Sequence, residues 1–104
     1  MGMIVTDESF ETSPTPSLLY FWVAWCGACH LLSQLVAKLE PEYPDLNFGI
    51  IYADENPKLS ADIVIYPTVW FVSPTKNFKY IGLPEEHNLR EFIEQAKRGR
   101  LPTI

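Results

Sequence analysis

Residues 25–30 read WCGACH, and this stretch holds both cysteines of the 104-residue chain. The preceding residues 17–24, SLLYFWVA, are apolar and rich in aromatic side chains, which is typical of a buried strand. The following residues 31–39, LLSQLVAKL, repeat apolar side chains every three or four positions, as the buried face of a helix does. The cysteine pair is therefore predicted to lie where a central strand turns into a helix.

The spacing of the two cysteines suits dithiol chemistry. Residues three apart share one face of a helix, so Cys26 and Cys29 can bring their sulfur atoms within bonding range. Cys26 is predicted at the helix start, where unpaired N–H groups and the positive end of the helix dipole stabilise a thiolate. Cys29 lies one turn deeper and is expected to be more covered. One open, acidified thiol beside a sheltered partner is the arrangement that thiol–disulfide exchange requires.

Composition narrows the class of protein. The chain is 47% apolar and long enough to bury a core, so one globular domain is predicted over residues 1–104. A net charge of −5 argues against a surface for nucleic acid or anionic membranes. No apolar run approaches the roughly 20 residues that span a bilayer, and residues 1–8 do not read as a signal peptide. We therefore expect a cytoplasmic protein that is a monomer and has no membrane contact.

The remaining elements predict an α/β fold with a mixed sheet. Strands are predicted at residues 3–5, 18–23, 46–53, 68–72 and 78–81. Four helices are predicted. The first is short and capped by Thr6, and the main one covers residues 26–40 with a kink near Pro41. The third is a short helix over residues 58–63 capped by Asn56, and the last covers residues 85–98. This order implies parallel strands first, an antiparallel hairpin last, and helices on both faces of the sheet.

Four segments together resemble the thioredoxin family, and the resemblance covers nearly the whole chain. Residues 21–29, FWVAWCGAC, resemble the active-site strand and motif of the family, and residues 53–57, ADENP, resemble its acidic turn. Residues 66–68, YPT, resemble its cis-proline loop, and Gly82 falls where the family has a glycine before its final helix. A bare C-x-x-C is a weak signal, but this combination is specific.

The resemblance implies the thioredoxin fold and reduction of protein disulfides. Cys26 would attack the disulfide of a substrate protein, and Cys29 would then release the reduced substrate. A thioredoxin-reductase-like partner would supply electrons, and neither a bound cofactor nor a metal is implied. The implied docking surface consists of residues around the cysteines, namely Trp25, Gly27, Ala28, Tyr66, Pro67 and Gly82. Pro67 would have a cis peptide bond and bring the backbone of Tyr66 close to the sulfur atoms.

Three positions depart from the family pattern. Ala28 stands where thioredoxins have proline, which should loosen the turn and alter the redox potential. Tyr20 and Ile50 occupy the positions of the buried aspartate and lysine that are credited with moving the proton of the resolving cysteine. Three hypotheses follow for this chain: the Tyr20 hydroxyl takes that proton, a water takes it, or the transfer is slower. His30 is a further candidate for tuning the thiols, although a histidine there is more often a plain surface residue.

Other interpretations of the cysteines stay open at this stage. Residues 26–30 also match the C-x-x-C-H pattern of c-type haem attachment, although the only methionines are Met1 and Met3. Structural zinc needs four ligands, and His87 is the only obvious donor beyond the cluster. The alternative functions are a thioredoxin-fold interaction module with little redox turnover and an exported disulfide oxidase or isomerase.

Overall fold

A computed structural model of the chain describes residues 2–102. Its strands are β1 (Met3–Ile4), β2 (Ser17–Trp22), β3 (Asn47–Tyr52), β4 (Thr68–Val72) and β5 (Asn77–Ile81), and its α-helices are α1 (Gly27–Leu39) and α2 (Glu86–Lys97). All five predicted strands are confirmed, and helix α1 passes into a 3-10 turn, Glu40–Glu42, at the predicted kink. No helix within residues 2–102 has the length and apolar character needed to cross a membrane.

The five strands form one sheet in the order β1-β3-β2-β4-β5. Strand β3 pairs in parallel with both β1 and β2, whereas β4 pairs antiparallel with β2 and β5. The predicted mixed sheet with a C-terminal hairpin is therefore confirmed. Gly49 of β3 lies opposite Leu19 of β2, and a Cβ at Gly49 would come within 2.8 Å of the Leu19 side chain. Strand β3 thus packs closely between β1 and β2 at this point, and β2, whose end leads to the cysteines, is the middle strand of the sheet.

The two faces of the sheet are covered differently, because successive side chains of a strand point to opposite faces. One face packs against both α-helices; its buried residues include Leu18, Tyr20, Leu32, Val36, Phe71, Leu89 and Phe92. The opposite face carries both cysteines; its cluster includes Leu19, Phe21, Cys26, Cys29 and Ile51, with Phe10, Leu59 and Ile63 packed against it. The second face is covered by the 3-10 helix Phe10–Thr12 and by turns rather than by an α-helix.

The helix predicted over residues 58–63 is not formed, and this prediction was wrong. Residues 57–62 are hydrogen-bonded turns, and the Asn56 side chain does not cap them. Its amide instead accepts the N–H of Asp7 and donates to the Tyr52 carbonyl. The cap comes from Asp7, whose carboxylate accepts the N–H groups of Lys58 at 3.1 Å and Leu59 at 2.8 Å. Asp7, which lies 51 and 52 positions before these two residues, therefore provides the cap that the local pattern assigned to Asn56.

Thr6 does act as predicted at the start of the preceding segment, but that segment is short. Its hydroxyl accepts the N–H of Ser9 at 3.1 Å, as an N-cap does. The chain then forms only the three-residue 3-10 helix Phe10–Thr12 before the prolines.

Removing the Asp7 carboxylate should destabilise the protein. We expect Asp7→Ala to lower the free energy of unfolding by about 1 kcal/mol, the usual cost of a lost helix-type cap. Urea denaturation at pH 7 measures the difference. Glu8→Ala is the matched control, because it removes the same charge from an exposed neighbour and should change the stability little. Equal losses in both variants would contradict the capping role.

An exposed ion network joins the end of α1 to α2. Lys38 donates to Glu86 at 2.6 Å, and Arg90 binds both Glu86 at 2.9 Å and Glu42. Hydrogen bonds from Arg90 lower the pKa of Glu42, and hydrogen bonds from Lys38 and Arg90 lower the pKa of Glu86. A carboxyl group whose pKa is lowered by folding stabilises the protein above its unfolded pKa and loses that contribution as the pH falls through its folded pKa.

Arg90→Gln should therefore lower the melting temperature at pH 7 by a small amount, and the difference from wild type should shrink below pH 4.5. Thermal melts between pH 7 and pH 3, followed by circular dichroism, measure this trend. Arg98→Gln serves as the control for loss of one positive charge. A difference at Arg90 that grows on acidification would contradict the assignment.

Candidate active site

Cys26 and Cys29 form a disulfide at the point where β2 leads into α1, with their Cα atoms 5.3 Å apart. Cys26 is the N-cap residue of α1: its backbone is extended, with φ −102° and ψ 104°, and Gly27 is the first helical residue. The Cys26 sulfur accepts the N–H of Cys29 at 3.1 Å. The predicted placement of the pair at a strand-to-helix turn is thus confirmed, and Cys26 occupies the place of a capping oxygen.

The two sulfur-bearing residues differ in their access to solvent. Cys26 is 7% exposed, whereas Cys29 is fully buried at 0%. The Cys29 sulfur lies 3.8 Å from the Phe21 carbonyl oxygen, within the core cluster of the second sheet face. A disulfide or thiolate partner can therefore approach Cys26 but not Cys29.

Two aromatic residues lie beside the disulfide. Trp25 is 74% exposed, and its ring contacts the Tyr66 ring edge-on at 5.8 Å between centroids. Tyr66 packs against the cluster that contains both cysteines. Burial, with a smaller contribution from the Asp54 carboxylate, raises the pKa of Tyr66, so this phenol keeps its proton at neutral pH.

The loop that carries Tyr66 is tied to the end of β5. The Tyr66–Pro67 peptide bond is cis, as the resemblance implied. The Pro67 carbonyl accepts the N–H of Gly82 at 2.9 Å, and Gly82 has a positive φ of 92°, which favours glycine over residues with a Cβ. Trp25, Tyr66, Pro67 and Gly82 are thereby connected by direct contacts. Of the remaining predicted docking residues, Gly27 is exposed and Ala28 packs half-buried against the cysteine cluster.

Tyr20 lies on the other side of the sheet from the cysteines. It is buried in the cluster beneath the two α-helices, and its hydroxyl is 3.0 Å from the Ser33 hydroxyl on α1. Burial raises the pKa of Tyr20, so the phenol keeps its proton at neutral pH. Ile50 packs half-buried against the same cluster. Tyr20 is thus paired with Ser33, whereas the Cys29 sulfur lies 3.8 Å from the Phe21 carbonyl oxygen.

His30 is exposed, and it contacts residues that precede Cys26 in the chain. Its Nε2 atom is 3.3 Å from the Ala24 carbonyl oxygen, and its ring meets Trp22 edge-on at 5.0 Å. Because a carbonyl oxygen only accepts, Nε2 carries the proton in this contact. His30 is therefore positioned by the loop before Cys26.

Four exposed aliphatic residues adjoin Tyr66 and Gly82 in the sequence but are not among the predicted site residues, namely Val64, Ile65, Ile81 and Leu83. The first two precede Tyr66, and the last two flank Gly82. An apolar run, IVIY at residues 63–66, was the available signal, because a loop between turns rarely needs so many large apolar side chains. Within residues 2–102, no group of three or more His, Cys, Asp or Glu residues could hold a metal ion.

Comparison with known proteins agrees with this geometry. The family model described as Thioredoxin matches residues 3–95. The chain belongs to the thioredoxin family. Thioredoxin of Rickettsia prowazekii is 31% identical over 103 residues, covering 88% of this chain and 95% of that protein. Thioredoxin of Staphylococcus saprophyticus is 30% identical over 97 residues, covering 88% of this chain and 93% of that protein.

The same fold is found among solved structures. Chloroplastic thioredoxin z aligns with a TM-score of 0.79 and 22% identity, over 94% of this chain and 96% of that one. The thioredoxin fold is therefore confirmed. With a paired Cys26 and Cys29 at the site, this member of the thioredoxin family is a thiol–disulfide oxidoreductase.

The position of Tyr20 generates a prediction about proton transfer. Because its hydroxyl contacts Ser33, we expect Tyr20→Phe to change the rate of mixed-disulfide release by no more than about twofold, whereas loss of a true acid–base group costs roughly 10²-fold or more. Stopped-flow measurement with a peptide disulfide gives this rate. Ser33→Ala is the matched control for loss of the same hydrogen bond. A large fall in Tyr20→Phe alone would identify the hydroxyl as the proton acceptor.

Proposed function

We propose that this protein reduces disulfide bonds in other proteins, with Cys26 as the nucleophile and Cys29 as the resolving thiol. The observation that carries the proposal is the asymmetry at the start of α1. Cys26 keeps a small exposed fraction of 7% and caps the helix, whereas Cys29 is fully buried in the core one turn away. The first residue can meet a substrate, and the second can meet only the first.

The N-cap position prepares Cys26 for attack in the reduced protein. The backbone N–H of Cys29, which points at the Cys26 sulfur, would donate to the thiolate, and the positive end of the α1 dipole adds to this stabilisation. The thiolate attacks one sulfur of the substrate disulfide. A bond forms between Cys26 and that sulfur, the substrate S–S bond breaks, and the other substrate sulfur leaves as a thiolate.

Cys29 completes the exchange. It loses its proton and attacks the Cys26 sulfur, the mixed disulfide breaks, and the second substrate sulfur leaves as a thiolate. Two electrons have then passed from the dithiol to the substrate, and the product is the Cys26–Cys29 disulfide that the structure contains. A thioredoxin-reductase-like dithiol donor would return those electrons, in the cytoplasm, with no cofactor bound to this chain.

Water is the acceptor that we propose for the Cys29 proton. The Tyr20 hydroxyl is hydrogen-bonded to Ser33, and burial raises the pKa of Tyr20, so its phenol stays neutral. The leaving thiolate of the substrate can take the same proton through that water. His30 would affect the thiols only through the loop at Ala24, to which its ring is bound.

Substrate docking is proposed around the open sulfur. The Trp25 and Tyr66 rings offer an apolar surface beside the cis Pro67, and Gly27 and Gly82 have open space where a Cβ would stand, which leaves room for an extended peptide segment. Ala28, packed against the cysteine cluster, would line the same surface.

An insulin-reduction assay with dithiothreitol tests the proposal. Wild-type protein should accelerate precipitation of the reduced chains, and Cys26→Ser should return the rate to the level without protein, since no other nucleophile reaches the surface at this site. Cys29→Ser is the matched variant: it should lose turnover but accumulate a mixed disulfide, visible by mass spectrometry. If Cys26 resists alkylation at pH 7 in the reduced protein, or if insulin is not reduced, the site serves as an interaction module instead. A measured reduction potential separates a reductase from an oxidase.

A further inference from the structure

We propose that a cavity at the end of the sheet opposite the disulfide binds a small aromatic carboxylate. The cavity, named here the basic cavity, lies between the turn that joins β4 to β5 and the C-terminal end of α2. Its volume is about 490 Å³, and its basic lining residues are Lys76, Lys97 and Arg98. The occupant is a molecule with a planar apolar body and one carboxylate group. This binding is independent of the reduction of protein disulfides.

The basic cavity is separate from the redox site. The cysteines follow the last residue of β2, whereas Pro16, which lines the cavity, precedes the first residue of that strand. The 6 residues of β2 lie between them, and at about 3.3 Å each they span roughly 20 Å. Ser17 pairs with Val72, so the end of β4 and the turn after it lie at the same end of the sheet as Pro16. A ligand in the basic cavity therefore leaves the cysteines uncovered.

The floor of the basic cavity is apolar. Phe71 of β4 and Phe78 of β5 lie opposite each other in the sheet, with their ring centroids 6.4 Å apart, and Ala96 of α2 lines the cavity beside them. All three belong to the core cluster beneath the two α-helices, and each is at most 4% exposed. Small-molecule pockets are lined mostly by such side chains and have volumes of roughly 300–1,000 Å³. The size and the floor of this cavity therefore suit a planar ring system.

The basic cavity is positively charged although the whole chain is acidic. The chain has a net charge of −5 and 8 Lys and Arg residues, of which Lys76, Lys97 and Arg98 line this cavity, and none of the described lining residues is acidic. Lys97 lies 3.5 Å from the Asp45 carboxylate. Within residues 2–102, neither the Lys76 ammonium nor the Arg98 guanidinium takes part in an ion pair. Two cations without a carboxylate partner, above an apolar floor, complement an organic anion.

The adjoining helix end favours a ligand with a single negative charge. The C-terminal end of α2 carries the equivalent of roughly half a negative charge, which the basic residues beside it offset only in part of their own charge. A Cβ at Gly99 would lie 3.6 Å from the Lys76 Nζ atom, so this ammonium lies close to the helix end. The positive charge that remains suits a carboxylate. A phosphate dianion would be repelled more strongly by the carbonyl oxygens of the last helical turn.

Both rims of the basic cavity are fixed by hydrogen bonds. The Ser73 hydroxyl donates to the Lys76 carbonyl at 2.6 Å and accepts the Lys76 N–H at 3.0 Å. The Gly99 N–H donates to the Ala96 carbonyl at 3.0 Å, and a positive φ of 67° at Gly99 ends the helix. Leu101 then packs against the core cluster outside the cavity. The basic residues come from two fixed segments and converge on one cavity, which favours a compact ligand over an extended acidic protein segment.

Calorimetric titration of the disulfide form of the protein tests the proposal with four probes. Cinnamate has the planar body and the carboxylate, cinnamamide has the same body without charge, acetate has the charge alone, and cinnamyl phosphate has a second charge. Cinnamate should bind with saturation, one molecule per chain. Cinnamamide and acetate should each bind at least about tenfold more weakly, because one loses the charge-assisted hydrogen bonds and the other the buried ring. Equal affinities for cinnamate and cinnamamide, or tighter binding of cinnamyl phosphate, would overturn the proposal.

Two matched double variants separate the site from the net charge of the chain. Lys76→Gln/Arg98→Gln removes the two unpaired cations and should weaken cinnamate binding at least about tenfold. Lys58→Gln/Lys79→Gln removes the same charge from two exposed residues outside the basic cavity. It should bind cinnamate within about twofold of wild type, because salt screens distant charges. Equal losses in the two double variants would contradict the site.

Amide shifts in the NMR spectrum locate the bound cinnamate. Saturable shifts at residues 73–77 and 96–99 support the basic cavity, whereas shifts confined to the surroundings of Trp25 and Tyr66 would place the ligand at the redox site and overturn the proposal. A hexaglutamate peptide that binds more tightly than cinnamate would assign the cations to an acidic protein partner. Dimers in sedimentation that the Lys76→Gln/Arg98→Gln variant abolishes would assign them to a second copy of the chain. Either result would also overturn the proposal.

Discussion

One hydrogen bond, from the backbone N–H of Cys29 to the Cys26 sulfur, joins the stability of the fold to its chemistry. A helix start leaves N–H groups without partners, and a side chain at the N-cap position normally supplies an oxygen for one of them. Here a sulfur does so. The same N–H that needs a partner for the helix to begin would stabilise a thiolate once the disulfide is reduced, so capping and activation of the nucleophile require the same geometry.

The central position of β2 in the sheet fixes the arrangement of Cys26 and Cys29 at the start of α1. Strand β2 has hydrogen-bonded neighbours on both sides and is covered on both faces, and Leu18, Leu19 and Phe21 are fully buried. Helix α1 follows almost at once, with its own buried stripe packed against the sheet. A site between two rigid elements is held more precisely than one on a free loop, because the rotamers around it are locked by packing.

The two faces of the sheet are covered unequally, and the cysteines lie on the face with the less regular covering. The face with α1 and α2 is closed by regular helices, whereas the face with the cysteines is closed by turns and by the loop that leads to the cis proline. Irregular segments present backbone and exposed side chains that a helix would bury. The Cys26–Cys29 disulfide and the Trp25–Tyr66 pair are both associated with this less regular covering, while Tyr20 faces the helical side.

The sequence by itself determined every strand, both α-helices and the location of the cysteines, because these follow from apolar periodicity and from the local effects of glycine and proline. Tertiary structure decided the rest. Asp7 replaced Asn56 as the cap of residues 57–62, the Tyr20 hydroxyl met Ser33, and Val64 and Ile65 came to line one cavity with Ile81 of β5. Each of these depends on contacts between parts of the chain far apart in sequence, and no local pattern encodes which distant group will be near once the core has packed.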